Sequence, residues 1–215
     1  MAPQPPERYR TLDRTGRSQT LINKSRFFGY AGPALTEEEA QSFIEEVHAQ
    51  HPDASCVCYG YLCGFYGLPQ RFYDGHEPVG GMPILDCLKK QDLTGCVCAV
   101  ARYFGGVKLG AGGLARAFGG AAALAVADAR PCEREKSLRY LAEFDYSNVG
   151  KVEYYFKQVP YRLEQTEFGE KVTATILIPA REEQAFTHAL EDLLAGRVDL
   201  EAVEQCYAAW DEPTP

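Results

Sequence analysis

The sequence predicts an α+β protein of two domains, and three observations predict it. From Leu138 onward, segments of strand and helix periodicity follow one another in the order β-α-β-β-α-β. Before that, Cys96-Val97-Cys98-Ala99-Val100-Ala101 is an apolar run of strand length. It feeds a glycine-rich loop and then an alanine-rich helical stretch, 114–127. Between the two regions, Arg130-Pro131-Cys132-Glu133-Arg134-Glu135 is charged, contains proline and has neither period, as a domain boundary should. The domains therefore span 8–132 and 136–207, with a disordered proline-rich tail at 1–7 and an acidic tail at 208–215.

In chain order, 9–13 and 18–22 read as short strands joined by a turn at Thr15-Gly16, a hairpin. Lys24-Ser25-Arg26 opens a third strand, 27–31; the triplet reads equally as a basic surface contact or a solvated strand start. Thr36 with Glu39 makes a capping box, and Ala40, Phe43, Ile44 and Val47 recur at helical spacing up to Gln50. Residues 54–62 form a strand rich in Cys, Val and Tyr, and 64–81 follow as a long loop of the kind that carries function or mobility. A short helix at 84–90, a strand at 95–101 and a small-residue helix at 111–129 complete a split β-α-β arrangement with its helices on one face.

In the second domain, strand 138–146, helix 149–158, strand 162–167, a turn at Gly169, strand 171–178, helix 182–194 and strand 197–204 give the ferredoxin-like order, with helices on one face of an open sheet. Trp210 reads as an unpacked terminal residue or a docking aromatic.

With 215 residues, 46% of them hydrophobic, the chain can build two real cores. Its formal charge of −8 excludes a protein that coats DNA nonspecifically. The charge is uneven: residues 1–135 hold 14 Lys/Arg against 15 Asp/Glu, whereas the remainder holds 8 against 15. A basic patch therefore belongs to the first domain. No apolar run reaches the roughly 18 residues of a membrane helix, and Met1-Ala2-Pro3-Gln4-Pro5-Pro6-Glu7 has no hydrophobic signal core, so the expected address is the cytoplasm with no membrane contact. Cys56-Val57-Cys58 and Cys96-Val97-Cys98 each aim two thiols at one face. Were their strands neighbours, four thiols could gather, but buried apolar packing is the simpler reading, as it is for Cys63, Cys87, Cys132 and Cys206.

The loop from Arg102 to Arg116 holds five glycines in nine residues, Gly105, Gly106, Gly110, Gly112 and Gly113. Glycine admits positive φ and close backbone approach, a helix start offers unpaired amides, and Arg102, Lys108 and Arg116 add charge with no acid between Asp92 and Asp128. These eight residues form the candidate site for an anion or nucleic acid. The alternative is that the glycines serve only tight packing. Neither the Gly-x-x-x-x-Gly-Lys-Ser/Thr motif nor a complete dinucleotide fingerprint is present. In the long loop, Arg71, Asp74, His76 and Glu77 form a second candidate, able to hold Mg²⁺ or move protons, or merely to make turns.

The run Arg102-Tyr103-Phe104-Gly105-Gly106-Val107-Lys108-Leu109-Gly110-Ala111-Gly112-Gly113-Leu114-Ala115-Arg116-Ala117-Phe118 resembles the signature of the IMPACT/YigZ family. Lys24-Ser25-Arg26-Phe27, Pro83-Ile84-Leu85, Gly150-Lys151-Val152 and Glu167-Phe168-Gly169-Glu170-Lys171-Val172 extend the resemblance across roughly residues 8–206. Two segments depart from the pattern. Where relatives read Asp-Asp-Gly-Glu-Pro-Ser-Gly-Thr-Ala-Gly, this chain has Tyr73-Asp74-Gly75-His76-Glu77-Pro78-Val79-Gly80-Gly81-Met82, and Ser55-Cys56-Val57-Cys58-Tyr59 stands where His-Asn-Cys-Tyr is usual. The resemblance implies a first domain folded like the second domain of ribosomal small-subunit protein five, and a second like a C-terminal domain of elongation factor G.

It also implies a translation-linked, non-catalytic regulator that binds RNA, the ribosome or a translation-associated protein. Eukaryotic relatives restrain an amino-acid-starvation kinase, but with a different N-terminal domain, so that partner does not transfer. No catalytic residue, metal or cofactor is assigned. Two alternatives stay open: a nucleotide- or phosphate-dependent enzyme using the same loop, and a protein-interaction adaptor using the open sheet of the second domain. The oligomeric state is left undetermined.

Overall fold

The computed structural model describes residues 5–210, so the expected tails at 1–7 and 208–215 fall partly outside the described residues. The chain divides into two compact units between Glu133 and Arg134.

The N-terminal unit runs β1 (Arg8–Leu12), β2 (Gly16–Ile22), β3 (Ser25–Pro33), α1 (Glu37–Gln50), β4 (Cys56–Leu62), β5 (Gln70–Tyr73), α2 (Gly81–Lys89), β6 (Cys96–Tyr103) and α3 (Gly110–Asp128). Its sheet has the order β2-β3-β6-β4-β5, with every neighbouring pair antiparallel. The hairpin expected between the first two strands forms instead between β2 and β3, across Asn23-Lys24. Both turn residues have positive φ, 47° and 65°, the two-residue geometry that matches the twist of the flanking strands. Strand β1 is tied elsewhere: Arg10 O accepts from Thr94 N at 2.8 Å, and Thr11 Oγ1 donates to Gly95 O at 3.0 Å. Strand β5 lies inside the segment read as loop.

Helices cover both faces of this sheet, not one. Val97, Ala99 and Ala101 of β6 are as fully buried as Cys96, Cys98 and Val100 on its other side, and a strand apolar on both sides needs cover on both. Helices α2 and α3 pack on the face carrying Phe27, Cys58 and Val100, while α1 supplies Ala40, Ile44 and Val47 to the opposite face. The capping box holds as read: Thr36 Oγ1 accepts from Glu39 N at 3.2 Å and Glu39 Oε2 accepts from Thr36 N at 3.2 Å.

Helix α3 lies directly on β2 and β3 because small residues let it. A Cβ on Gly29 would stand 2.7 Å from the Ala121 carbonyl oxygen, and the Phe118 ring meets Phe27 edge-on at 5.3 Å. By length and composition alone α3 is apolar enough to cross a membrane, although its apolar run is broken by glycines and Arg116. Here Leu114, Phe118, Ala122 and Val126 are buried in the core of the unit.

The C-terminal unit contains β7 (Pro131–Phe144), α4 (Val149–Phe156), β8 (Arg162–Phe168), β9 (Val172–Pro179), α5 (Glu183–Leu193) and β10 (Val198–Ala208). The order β10-β7-β9-β8, antiparallel throughout, is the ferredoxin-like arrangement. The segment read as a linker is the start of β7; Pro131 is tolerated as the first strand residue, where its missing donor matters least. Alternation sends Tyr140, Ala142, Phe144, Ala174 and Ile176 inward against Val152, Phe186 and Leu190. The other face is polar, with Arg139 bridging Glu164 at 2.7 Å and also pairing with Glu204. Trp210 is packed rather than loose: its Nε1 donates to Ser137 Oγ at 3.0 Å, and the Arg162 guanidinium lies over its ring at 4.8 Å.

Candidate functional site

The site forms where β6 ends and the chain must reach the start of α3. Inward alternation along β6 puts Arg102 on the α2/α3 side, below Val100, where it is only 4% exposed. A guanidinium cannot stay there alone, since an unpaired buried charge is strongly disfavoured. Its Nη1 pairs with Glu77 Oε1, while the group lies 5.8 Å from the Phe27 ring and 5.3 Å from the Phe104 ring. Its Nε is buried without an acceptor among the described residues. The expectation of Arg102 as a free anion contact is therefore corrected: its charge is answered inside the protein.

Glu77 reaches Arg102 because its loop is pinned from below. Asp74 Oδ1 accepts from Gly80 N at 2.8 Å and Gly81 N at 2.7 Å, placing a carboxylate at the positive end of α2. Cys58 Sγ donates to the Asp74 carbonyl at 3.1 Å, and Cys56 Sγ to Glu77 Oε1 at 3.6 Å. The bond to Cys56, then burial and the nearby carboxylates, push the Cys58 thiol far up, so it stays protonated. Strands β4 and β6 are neighbours, but register sets Cys96 opposite Leu62 and Cys98 opposite Gly60, away from Cys56 and Cys58. The four thiols thus do not share one point. Among the described residues no group of three or more His, Cys, Asp or Glu is placed to hold a metal ion.

Above Arg102 the glycine loop is shaped by two serines that sequence reading missed. Phe104 N donates to Ser55 Oγ at 2.9 Å, and Gly105 N donates to Ser25 Oγ at 3.1 Å. A Cβ on Gly105 would lie 2.0 Å from the Lys24 carbonyl carbon, so the loop presses on the β2–β3 turn where only glycine fits. Gly106 and Gly110 take left-handed φ, 85° and 68°, and bring the chain into α3. There the helix start has no side-chain cap and no acid in its first turn, which holds Gly112 and Gly113. Its first amides are left to solvent or a ligand.

These pieces enclose an open cavity of about 550 Å³, whose lining includes Ser55, Glu77, Arg102, Phe104, Lys108 and Gly110. The two candidate loops therefore converge through Glu77, Arg102 and Lys108. Other expected members lie apart. Arg116 lines a separate hollow beside Asp86 and Lys90. His76 lines a third cavity, about 380 Å³, with His48, His51, Ser55, Cys56 and Tyr73. Arg71 pairs with Glu37 at 3.1 Å on the α1 side. The quartet Arg71, Asp74, His76 and Glu77 is thus not one site, since Asp74 and Glu77 are committed to Gly80, Gly81 and Arg102.

Comparison with known proteins agrees with this architecture. Residues 23–126 match the Impact N-terminal domain, and 143–197 match a domain of unknown function, DUF1949. The IMPACT family member YvyE of Bacillus subtilis is 33% identical, with 93% of each chain covered. An IMPACT family member in the pol 5′ region of Thermus thermophilus is 37% identical over 84% of this chain and 99% of its own, and Escherichia coli YigZ is 29% identical over 86% and 92%. A solved structure described as a hypothetical protein superposes with a TM-score of 0.60 at 27% identity, covering 93% of this chain and 98% of that one. With both domain matches in sequence and relatives aligned over nearly its whole length, the chain belongs to the IMPACT family.

Proposed function

We propose that this protein is a non-catalytic, translation-linked regulator of the cytoplasm whose N-terminal unit binds RNA, alone or on the ribosome, in the cavity at the start of α3. The observation that carries the reading is the meeting of three different groups around one hollow: the uncapped first turn of α3, Lys108, and the half-exposed Phe104 ring. A phosphate suits helix-start amides and a lysine, and a base suits an aromatic face. Arg102 does not neutralise the ligand; paired with Glu77, it holds the floor and presents its cation to the underside of Phe104.

A nucleotide-dependent enzyme using the same loop has less support, because Asp74 and Glu77, its metal-ligand candidates, already serve backbone amides and a buried arginine. Fluorescence anisotropy with a labelled single-stranded RNA, titrated over salt, tests the proposal. Lys108→Ala should weaken binding and lower the slope of log K against log salt by about 0.7, and Phe104→Ala should weaken binding with little change in slope. Wild-type protein that binds no RNA at low salt, or variants that bind as tightly as wild type, would overturn it.

A further inference from the structure

We propose that the β2–β3 side of the N-terminal sheet, which α1 covers only in part, is a base-stacking platform for single-stranded RNA, built from Arg17, Arg26, Phe28, Tyr30 and Tyr103. The proposal rests on the RNA reading above and extends it to a different face of the molecule.

Topology makes the surface. Helix α1 packs over β6 and β4 and reaches β3 through Phe43, which stands against Gly32, and through Val47, on whose cluster Phe28 and Tyr30 pack; β2 and the solvent-facing edges of those two rings lie beyond it. On β2, Gly16 and Ser18 point toward α3, so Arg17, Gln19 and Leu21 point the other way and are exposed. On β3, Phe27 and Gly29 face α3, leaving Arg26 exposed and Phe28 and Tyr30 half-buried on the same side as Tyr103 of β6. Three rings and two guanidinium groups thus share one sheet face.

Their arrangement is held in advance. His51, at the end of α1, bonds Tyr30 OH through Nε2 at 2.7 Å and Tyr103 OH through Nδ1 at 3.0 Å, with its ring 5.1 Å from Phe28. The Arg26 guanidinium lies 5.0 Å from the Tyr103 ring and 6.0 Å from Phe28, and Arg17 lies 5.8 Å from Tyr30. Among the described residues neither guanidinium is in an ion pair; Asp128 takes only the backbone N–H of Arg17, and its side chain pairs with Arg14. In a chain with 30 acidic and 22 basic residues, two arginines that face rings rather than carboxylates leave positive charge over an aromatic surface.

That combination is complementary to a polyanion with free aromatic faces. Unpaired bases stack on tyrosine, phenylalanine and arginine planes while phosphates meet the cations. A duplex hides its base faces, and an acidic peptide would answer the arginines but leave the rings unused. The cavity that includes His76 joins this platform to the α3 site, since it shares His51 with the former and Ser55 with the latter. A strand can run from the platform around the end of β6 to Lys108.

The test compares wild type, R17A/R26A and Lys108→Ala in anisotropy titrations with an oligouridylate of roughly 12 nucleotides, within the span such surfaces cover, and with a duplex of equal length. Ultraviolet cross-linking of the wild type to the same oligomer is followed by peptide mapping. Both arginines are exposed, so R17A/R26A should keep the wild-type melting temperature. The platform predicts that R17A/R26A loses roughly tenfold affinity for the single strand and far less for the duplex, and that adducts map to peptides containing Tyr30 or Tyr103. If R17A/R26A binds like wild type while Lys108→Ala is weakened, the platform falls and the α3 site stands. If R17A/R26A is weakened and Lys108→Ala is not, the platform stands and the α3 site falls. Wild type that binds no RNA removes both; equal losses on duplex, or displacement by polyglutamate as effective as by RNA, overturn the stacking assignment.

Discussion

Arg102 and Glu77, 25 residues apart in the chain, form one ion pair in the floor of the cavity beneath the glycine loop. Removing one partner leaves the other buried and unanswered, which costs about 3–5 kcal/mol. Glu77→Gln should therefore lower the urea-derived stability by an amount in or near that range, while the double variant Arg102→Met/Glu77→Leu recovers most of the loss. Equal destabilisation by the single and double changes would show that the pair is not coupled.

Gly105 and Gly120 should respond in opposite directions to the same substitution. A Cβ at 105 would collide with backbone of Lys24 and Ser25, atoms that cannot swing aside, so Gly105→Ala should destabilise by about 1–3 kcal/mol. Gly120 lies in α3 with nothing within 4 Å of its would-be Cβ, so Gly120→Ala should gain about 0.5–1 kcal/mol from helix propensity. Thermal denaturation of the two variants beside wild type decides it.

Asp74 is predicted to act on α2 rather than on a substrate. Asp74→Ala frees the amides of Gly80 and Gly81 and should cost about 0.5–2 kcal/mol. Amide hydrogen exchange should then rise first in Gly81–Lys89 and the loop carrying Glu77. Exchange that rises evenly through the unit would argue against a local cap.

His51 should make stability fall in mild acid. Burial of the imidazole at the end of α1 lowers its pKa below the ordinary 6.5. The folded state thus binds fewer protons here than the unfolded one. The contribution is complete above about pH 6.5 and is lost as pH falls from there through the lower folded value. Urea midpoints measured from about pH 8 down to about pH 5 should drop less in His51→Gln than in wild type; parallel curves would exclude His51 as the source.

Much of this fold was legible because local chemistry agreed with it. The Thr36–Glu39 box marked α1, and the order of periods after Leu138 marked the ferredoxin-like unit. What could not be read depended on pairing. Strand β5 sits among glycine and proline residues and is defined only by its ladder with β4, and the Asn23-Lys24 turn was hidden because neither residue is glycine. The uniform burial of β6 erased the alternation that would have shown Arg102 pointing inward. The candidate loops were visible as composition, but their convergence on Glu77, and the serines at 25 and 55 that shape the approach, came only from register.

Trp210 is the single tryptophan of the chain, and its ring is clasped between Arg162 and Ser137 of the C-terminal unit. Selectively excited indole emission is consequently a built-in probe of the packing of that unit. Plotted against circular dichroism, which senses every helix, it separates the melting of one half from that of its neighbour without any added label.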